Sequence, residues 1–507
     1  MRSPSRSWAH GASALEARSL LDVLHPDGIA GRIAIIGRSC PAVFGSGSTR
    51  PLAFSPDQFD AIVLSPDSAE CRAEGWLESA ITTSAGRLAP DGLLYGVVPP
   101  CWRARALHLL TQRGLVVEGT YLHFRQASST HYVLPIDAAI ARRLCKTLPA
   151  KRLKLLSALL LSVLPGAPAV ASRCASKVGW LLRRPAARRS FEWISPGPAR
   201  LDASRVVIRY KPMGDRVNAV LSAFSSPGAE LSDIVKVPLT ATASVDRRRE
   251  AETLTTCRPA ASQAGARVPT VDVIETRDGR SALRFGVVAG EPAGIVLTLR
   301  PDRLSSIVRE IARWLGRWNA LTGRAASADK PRLQRHLLQP ARLLARDLDG
   351  GSAYLEWLEQ QCALVRDAPL PYVAAHNDLT MSNVLVLKGD PTLGVLDWET
   401  ARDDGLPLTD LFYAIADARA VSRGDRDRTR SLIEAFDSES VFGRWVDRLA
   451  DDCAGSVGIS GRLTRLLKHA CALEHAIDER SRAERGSGPF LALVQSLAQR
   501  NAAQLRP

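Results

Sequence analysis

The sequence predicts an α/β module at its N-terminus followed by a larger α+β portion in which strands come first and helices follow. Three observations predict it. Over residues 31 to about 137, short apolar runs alternate with helical stretches. Residues 138–200 break that pattern with a basic run. From residue 201 strands dominate to 298, and the chain then reads as helical almost to its end. At 507 residues the chain exceeds what one core accommodates, so several domains are expected. A hydrophobic share of 46% beside 23% charged residues excludes a mainly disordered or fibrous protein.

The N-terminal elements come first. Arg32-Ile-Ala-Ile-Ile-Gly37 and Phe59-Asp-Ala-Ile-Val-Leu64 are short apolar runs suited to buried parallel strands. A helix is expected from about Gly75 to Leu88. Asp91-Gly92 then reads as a turn into a strand over Leu93–Val98. A helix over Trp102–Arg113 ends at Gly114, which suits a glycine C-cap. Leu115–Phe124 and His131–Pro135 complete the region as an antiparallel hairpin. This order resembles the second half of a class I, S-adenosylmethionine-dependent methyltransferase, a Rossmann-like fold. The first strand, however, runs into Arg38-Ser-Cys-Pro-Ala-Val-Phe-Gly without a G-x-G-x-x-G turn, so residues 1–137 are read as a degenerate, truncated module.

Residues 138–200 carry thirteen Lys and Arg against the single acid Glu192, a net +12 out of the chain's +15. They are expected to form a basic helical connector around the apolar stretch Leu153–Leu164. Such flanks suit either a solvated linker or peripheral contact with an anionic membrane. The rest of the chain is nearly balanced and has no nucleic-acid motif, so nucleic acid is excluded as a partner. The apolar stretch is too short to span a bilayer, and the first ten residues lack the apolar run of a secretory signal. Nine cysteines without C-x-x-C spacing suit buried thiols in a reducing compartment, and a cytoplasmic location is expected.

In the strand-rich part, Asn218–Phe224 and Asp233–Leu239 read as paired strands joined through Ser225-Ser-Pro-Gly228, with Lys236 inside the second. A helix follows from near Val245 and contains Glu250 and Glu252. Leu283–Pro292 reads as a strand and hinge leading to the helical part, residues 299–507.

Chemistry concentrates in Tyr372–Glu399. Val384–Leu387 and Leu393–Leu396 are short strands around the turn Lys388-Gly-Asp-Pro-Thr392. An antiparallel hairpin brings Asn383, just before its first strand, beside Asp397, just after its second. Asp378 precedes Asn383 by five residues on the entering loop. An amide oxygen, a carboxylate and a further free carboxylate suit Mg²⁺-phosphate chemistry.

His376-x-Asp378-x-x-x-x-Asn383, followed by an apolar strand pair and Asp397-Trp-Glu399, resembles the core of the aminoglycoside phosphotransferase and choline kinase families. The resemblance covers residues of about 201–507. It implies a protein-kinase-like, two-lobed fold, with an N-lobe over 201–298 and a helical C-lobe over 299–507. It also implies roles: Asp378 as the base for a substrate hydroxyl, His376 as a residue that fixes the loop, Asn383 and Asp397 as Mg²⁺ ligands. Lys236 matches the lysine that holds the ATP phosphates, with Glu250 as its partner and Glu252 in reserve. Gly214, in Lys211-Pro-Met-Gly-Asp-Arg-Val-Asn218, is the candidate for the phosphate-covering loop. Asp410, in Gly405-Leu-Pro-Leu-Thr-Asp410, matches an aspartate that braces the catalytic loop. The expected function is ATP- and Mg²⁺-dependent phosphorylation of a hydroxyl on a small molecule such as a sugar or amino alcohol. A catalytically silent nucleotide-binding scaffold and a bifunctional methyltransferase–kinase remain as alternatives. Asp403 and Asp404 read as a solvated turn or as acids facing the acceptor. His469 and His475 read as ordinary core or surface histidines.

Overall fold

The structure is a computed structural model that describes residues 24–25, 32–36, 58–99, 102–125, 131–135, 137, 139–140, 143–144, 177–194, 201–210, 217–226, 229–276, 279–390, 392–425, 427–482 and 488–503. The strands are β1 (Ile33–Ile36), β2 (Phe59–Leu64), β3 (Leu88–Val98), β4 (Val116–Arg125), β5 (His131–Pro135), β6 (Lys177–Arg183), β7 (Val206–Tyr210), β8 (Asn218–Phe224), β9 (Leu231–Pro238), β10 (Ala266–Arg267), β11 (Val271–Glu275), β12 (Ser281–Phe285), β13 (Glu291–Pro292), β14 (Val373–Ala375), β15 (Val384–Val386), β16 (Leu393–Val395) and β17 (Arg402–Gly405). The principal helices are α1 (Trp76–Arg87), α2 (Arg103–Gln112), α3 (Ala241–Gln263), α4 (Ala293–Leu299), α5 (Leu304–Thr322), α6 (Gly351–Leu364), α7 (Thr409–Arg423), α8 (Thr429–Phe436), α9 (Val441–Gly455), α10 (Gly461–Arg482) and α11 (Pro489–Ala503). Two compact units result, one of residues 1–251 with 270–287, the other of residues 252–269 with 288–507.

The first unit is organised by one eleven-stranded sheet in the order β1-β2-β3-β6-β4-β5-β7-β8-β9-β12-β11. β1, β2 and β3 are parallel, as their continuous apolar runs suggested. Every later pairing is antiparallel, including the expected β4–β5 hairpin, and His131–Val133 pairs onto β7. The strand-rich region after residue 200 is therefore continuous with the N-terminal sheet, whereas separate domains were expected for residues 1–137 and 201–298.

Period-two side chains explain the layering. Ala61, Val63, Leu93, Tyr95 and Leu181 pack into a core on one face. Ile62, Leu64, Leu94, Trp180 and Leu182 pack on the other with Leu77 and Ile81 of α1 and Leu110 of α2. Gly75 takes the left-handed conformation at the start of α1 (φ 69°), and Gly114 does so just beyond α2 (φ 75°).

Two local expectations change. Asp91-Gly92 lies inside β3, where pairing with β2 slips between Phe59–Leu88 and Ala61–Leu93, so the residues form an irregularity within a strand. Residues 177–183, expected as part of a helical connector, are the strand β6 between β3 and β4. Gly179 to Leu182 are all buried, as an interior strand covered on both faces requires. Its basic end is tied down: Arg183 Nε meets Glu118 at 2.8 Å, and Arg184 donates to the Ala85 and Leu88 carbonyls at 2.9 and 3.0 Å. The apolar stretch Leu153–Leu164, and with it the possible membrane contact, lies outside the described residues. Among those described, no helix is long and apolar enough to cross a membrane. Cys71, Cys257, Cys362, Cys453 and Cys471 are buried free thiols.

The second unit is mainly helical, as read from residue 299 onward, with two small sheets embedded in it: β10-β16-β15-β13 and β14-β17. Trp314 and Trp318 stack on α5, and Trp318 meets Trp398 edge-on with centroids 5.8 Å apart. This buried aromatic column stands behind the loop that follows β14.

Candidate active site

The loop begins where β14 ends. β14 pairs with β17 through Val373–Gly405 and Ala375–Arg402, and the Trp318 indole donates to the Ala374 carbonyl at 2.7 Å. Next comes His376, fully buried against Trp398 with ring centroids 5.0 Å apart. Its Nε2 lies 2.8 Å from the Leu396 carbonyl, which can only accept, so Nε2 carries the proton and Nδ1 accepts from the Asp378 N–H at 3.3 Å. The histidine therefore fastens the loop to the segment leading into Asp397.

Asp410, near the start of α7, accepts the His376 and Asn377 N–H groups at 2.7 and 2.8 Å, in the bracing position expected of it. Asn377 occupies the left-handed region (φ 63°), and its side chain donates to the Thr400 carbonyl at 2.9 Å. Asp397 is left-handed too (φ 62°). Such backbone costs ~1–3 kcal/mol per residue and persists only where the surroundings over-determine it.

Asp378 and Asn383 are held together. The Asn383 amide nitrogen donates to the Asp378 carbonyl at 2.8 Å and to its carboxylate at 3.0 Å, so the amide oxygen is the atom presented for a further ligand. The hairpin forms as expected: β15 and β16 pair antiparallel through Val384–Val395, and the Leu396 N–H donates to the Asn383 carbonyl at 2.8 Å. Asn383 and Asp397 consequently flank one end of the ladder. Burial pushes the Asp378 carboxyl up to about 6; the nearby Asp397 carboxylate adds to this, and the Asn383 hydrogen bond opposes it. Tyr413, on α7, donates to Asp378 Oδ1 at 3.4 Å.

Lys236 and Glu250 belong to the first unit and meet there at 2.8 Å. Lys236 lies opposite Val220 of β8 and Leu283 of β12, so it projects from an interior strand. Glu250 on α3 is fully buried and also pairs with Arg247, three residues earlier. Glu252, the reserve partner, is exposed. Gly214 lies outside the described residues.

Asp403 and Asp404, read as a solvated turn or as acids facing the acceptor, are an exposed and a half-buried residue respectively. They lie in β17, with Asp403 at 3.4 Å from Arg324 and Asp404 at 3.1 Å from Arg335. His469 is a core residue bonded to the Tyr354 hydroxyl at 2.8 Å, and His475 packs at a tilt against Tyr413 with ring centroids 4.2 Å apart. Arg247, Tyr413 and Asp417 were not singled out from the sequence. Arg247 had a readable signal in its i, i+3 spacing to Glu250. The other two act across more than thirty residues, which no local pattern announces.

Comparison with known proteins gives three findings. A model of the phosphotransferase enzyme family matches residues 225–443. No curated protein matches the chain. Among solved structures, an aminoglycoside phosphotransferase from Streptomyces rimosus, in complex with ADP and streptomycin, is 18% identical over 52% of this chain and 91% of its own, with a TM-score of 0.31. An ADP-bound aminoglycoside phosphotransferase is 14% identical over 58% of this chain and 92% of its own (TM-score 0.32). The GDP complex of an aminoglycoside 2'-phosphotransferase is 12% identical over the same shares (TM-score 0.34). The resemblance to aminoglycoside phosphotransferases raised by His376, Asp378, Asn383 and Asp397 is thus carried by residues 225–443, the stretch that matches the phosphotransferase enzyme family.

Proposed function

We propose that the chain is an ATP- and Mg²⁺-dependent phosphotransferase acting on a hydroxyl group of a small molecule. The observation that carries this reading is the joined Asp378–Asn383 pair on a loop whose backbone is fastened by Asp410 and His376. The family match over residues 225–443 supports the same reaction class.

The donor set suits the metal. An amide oxygen at Asn383 and a carboxylate at Asp397 are hard oxygen ligands of the kind Mg²⁺ takes, with water and phosphate oxygens completing its shell. These two residues would hold the ion, which when bound supplies charge neutralisation at the phosphates. Lys236, oriented by Glu250, would hold phosphate oxygens of the nucleotide. Asp378 orients the acceptor hydroxyl and takes its proton as the oxygen–phosphorus bond forms and the bond to the ADP leaving group breaks. Such transfers depend mainly on positioning and charge stabilisation, which explains why so much of this site is devoted to fixing a backbone. The N-terminal parallel strands β1–β3 are read as a Rossmann-like remnant with no part in this reaction.

Asp378→Ala separates the proposal from a silent nucleotide-binding scaffold. ADP formation, followed with ATP, Mg²⁺ and a panel of hydroxylated acceptors, should fall at least ~100-fold, while nucleotide binding by calorimetry persists. Unchanged turnover in the variant would remove Asp378 from the mechanism.

A further inference from the structure

We infer that Asp417 is a second positioning residue for the catalytic loop, acting at its midpoint and itself held by Arg428. The inference rests on reading residues 376–383 as the phosphoryl-transfer loop. Asp410 secures only the entry of that loop, through the N–H groups of His376 and Asn377. Between Asp378 and Asn383 the chain must still turn, and the turn decides where the two side chains meet. Leu379, Thr380 and Met381 are buried within it.

Both polar groups of the Met381 backbone are committed to outside partners. Its N–H donates to Asp417 Oδ2 at 2.7 Å, and its carbonyl accepts from the Gly294 N–H of α4 at 2.8 Å. Around it, the Thr380 N–H donates to the Asp378 carbonyl at 2.8 Å and the Asn383 N–H to the Thr380 carbonyl at 2.9 Å. Fixing the peptide between these turns sets the separation of Asp378 and Asn383. Asp410, Tyr413 and Asp417 lie at i, i+3 and i+7 of α7, one helical face. That face touches the loop at three successive points: the Asp410 carboxylate at His376 and Asn377, the Tyr413 hydroxyl at Asp378, and the Asp417 carboxylate at Met381.

Asp417 is 2% exposed, and a carboxylate so placed needs a counter-charge. Arg428, just before α8, supplies it with Nη1 2.9 Å from Asp417 Oδ1, while its own side chain remains about half exposed. One carboxylate oxygen thus grips the loop and the other is anchored from the protein surface.

The test compares Asp417→Ala, Asp417→Asn and Arg428→Gln, using basal ATP hydrolysis with water as acceptor and amide hydrogen exchange across residues 376–383. Asp417→Ala should lower kcat about 10- to 100-fold with the nucleotide KM within about twofold, because the reacting groups are misplaced while the nucleotide contacts remain. Exchange at Met381 should accelerate. Asp417→Asn, which keeps an acceptor oxygen, should recover most of the rate, and Arg428→Gln should fall between. Wild-type kcat in a variant with a loosened loop, or unchanged Met381 protection in folded Asp417→Ala, overturns the inference. So does an equal loss in the alanine and asparagine variants that merely follows their melting temperatures. Should Asp417→Ala fail to fold, the half-exposed Arg428→Gln carries the same comparison. A wild-type protein that makes no ADP under any condition sinks the phosphotransferase reading, and the exchange arm still decides whether Asp417 holds the loop.

Discussion

Glu250 is buried on α3 with Lys236 on one side and Arg247 on the other. A carboxylate in that setting requires a cation, and removing the only partner of such a group costs ~3–5 kcal/mol. Here Lys236 and Arg247 both face it, so they divide the work. Lys236→Met should weaken nucleotide binding by roughly tenfold or more, since a charge-assisted phosphate contact disappears. Its melting temperature should shift little, because Arg247 still compensates Glu250. Nucleotide titration alongside thermal melts measures both effects, and a collapse of stability with intact binding would refute the division. The residues on this side were partly legible in the sequence. Lys236 and Glu250 followed from the resemblance, but Arg247 stood unremarked in a run of three arginines, Arg247 to Arg249, that reads as surface charge. Beyond its i, i+3 spacing to Glu250, burial distinguishes it: Arg247 is 3% exposed, whereas Arg249 faces solvent.

Among the elements, the short ladder β14–β17 does the most to place the reactive loop, because His376 follows β14 directly. Gly405 permits it. A Cβ at this position would lie 2.4 Å from the Ala375 Cβ and 3.3 Å from the Val373 carbonyl. Gly405→Ala should therefore push the strands apart, costing ~1–3 kcal/mol of stability, and reduce ADP formation by more than nucleotide affinity. Urea unfolding together with steady-state rates checks this; an alanine variant of normal stability and rate would show that the close approach is dispensable. The β15–β16 hairpin was legible because its turn and both its strands lie within a dozen residues. β17 was not, since Arg402-Asp-Asp-Gly405 has the polarity of a loop and becomes a strand only by pairing thirty residues back. β6 was hidden for a related reason: its stretch Gly179–Leu182 sits in a basic run of the sequence, and only insertion between β3 and β4 buries it.

For the whole molecule, acid should expose two buried histidines. Burial together with neighbouring arginines, Arg402 first, holds His336 down to about 4, and burial with Lys468 nearby holds His469 at about 3. An unfolded histidine titrates near 6.5, so between that pH and the folded values the unfolded chain binds more protons. The stability contributed by keeping both neutral is complete above pH 6.5 and is lost as the pH falls. By pH 5 each histidine contributes ~2 kcal/mol of destabilisation. Asp378, Asp410, Glu474 and Glu479 are raised by burial and act in the opposite sense, so the informative quantity is a difference. A His336→Gln, His469→Gln double variant should lose less melting temperature than wild type between pH 7.5 and 5. Parallel curves for the two proteins would mean that these histidines protonate in the folded state.

The hydrogen-bonded continuity from β5 to β7 bears on where the chain tolerates division. By composition, the basic stretch before residue 200 is the obvious place to cut, since charge and proline mark it off on both sides. A fragment beginning at residue 201 would nonetheless convert Val206–Tyr210 from an interior strand into a raw sheet margin, with its N–H and C=O groups unpaired on one side and apolar residues alongside. Such a margin invites pairing with another copy and aggregation. The segment that looks most like a seam in the sequence therefore joins strands that rely on one another, and the phosphotransferase-like portion inherits part of its soundness from the residues ahead of it.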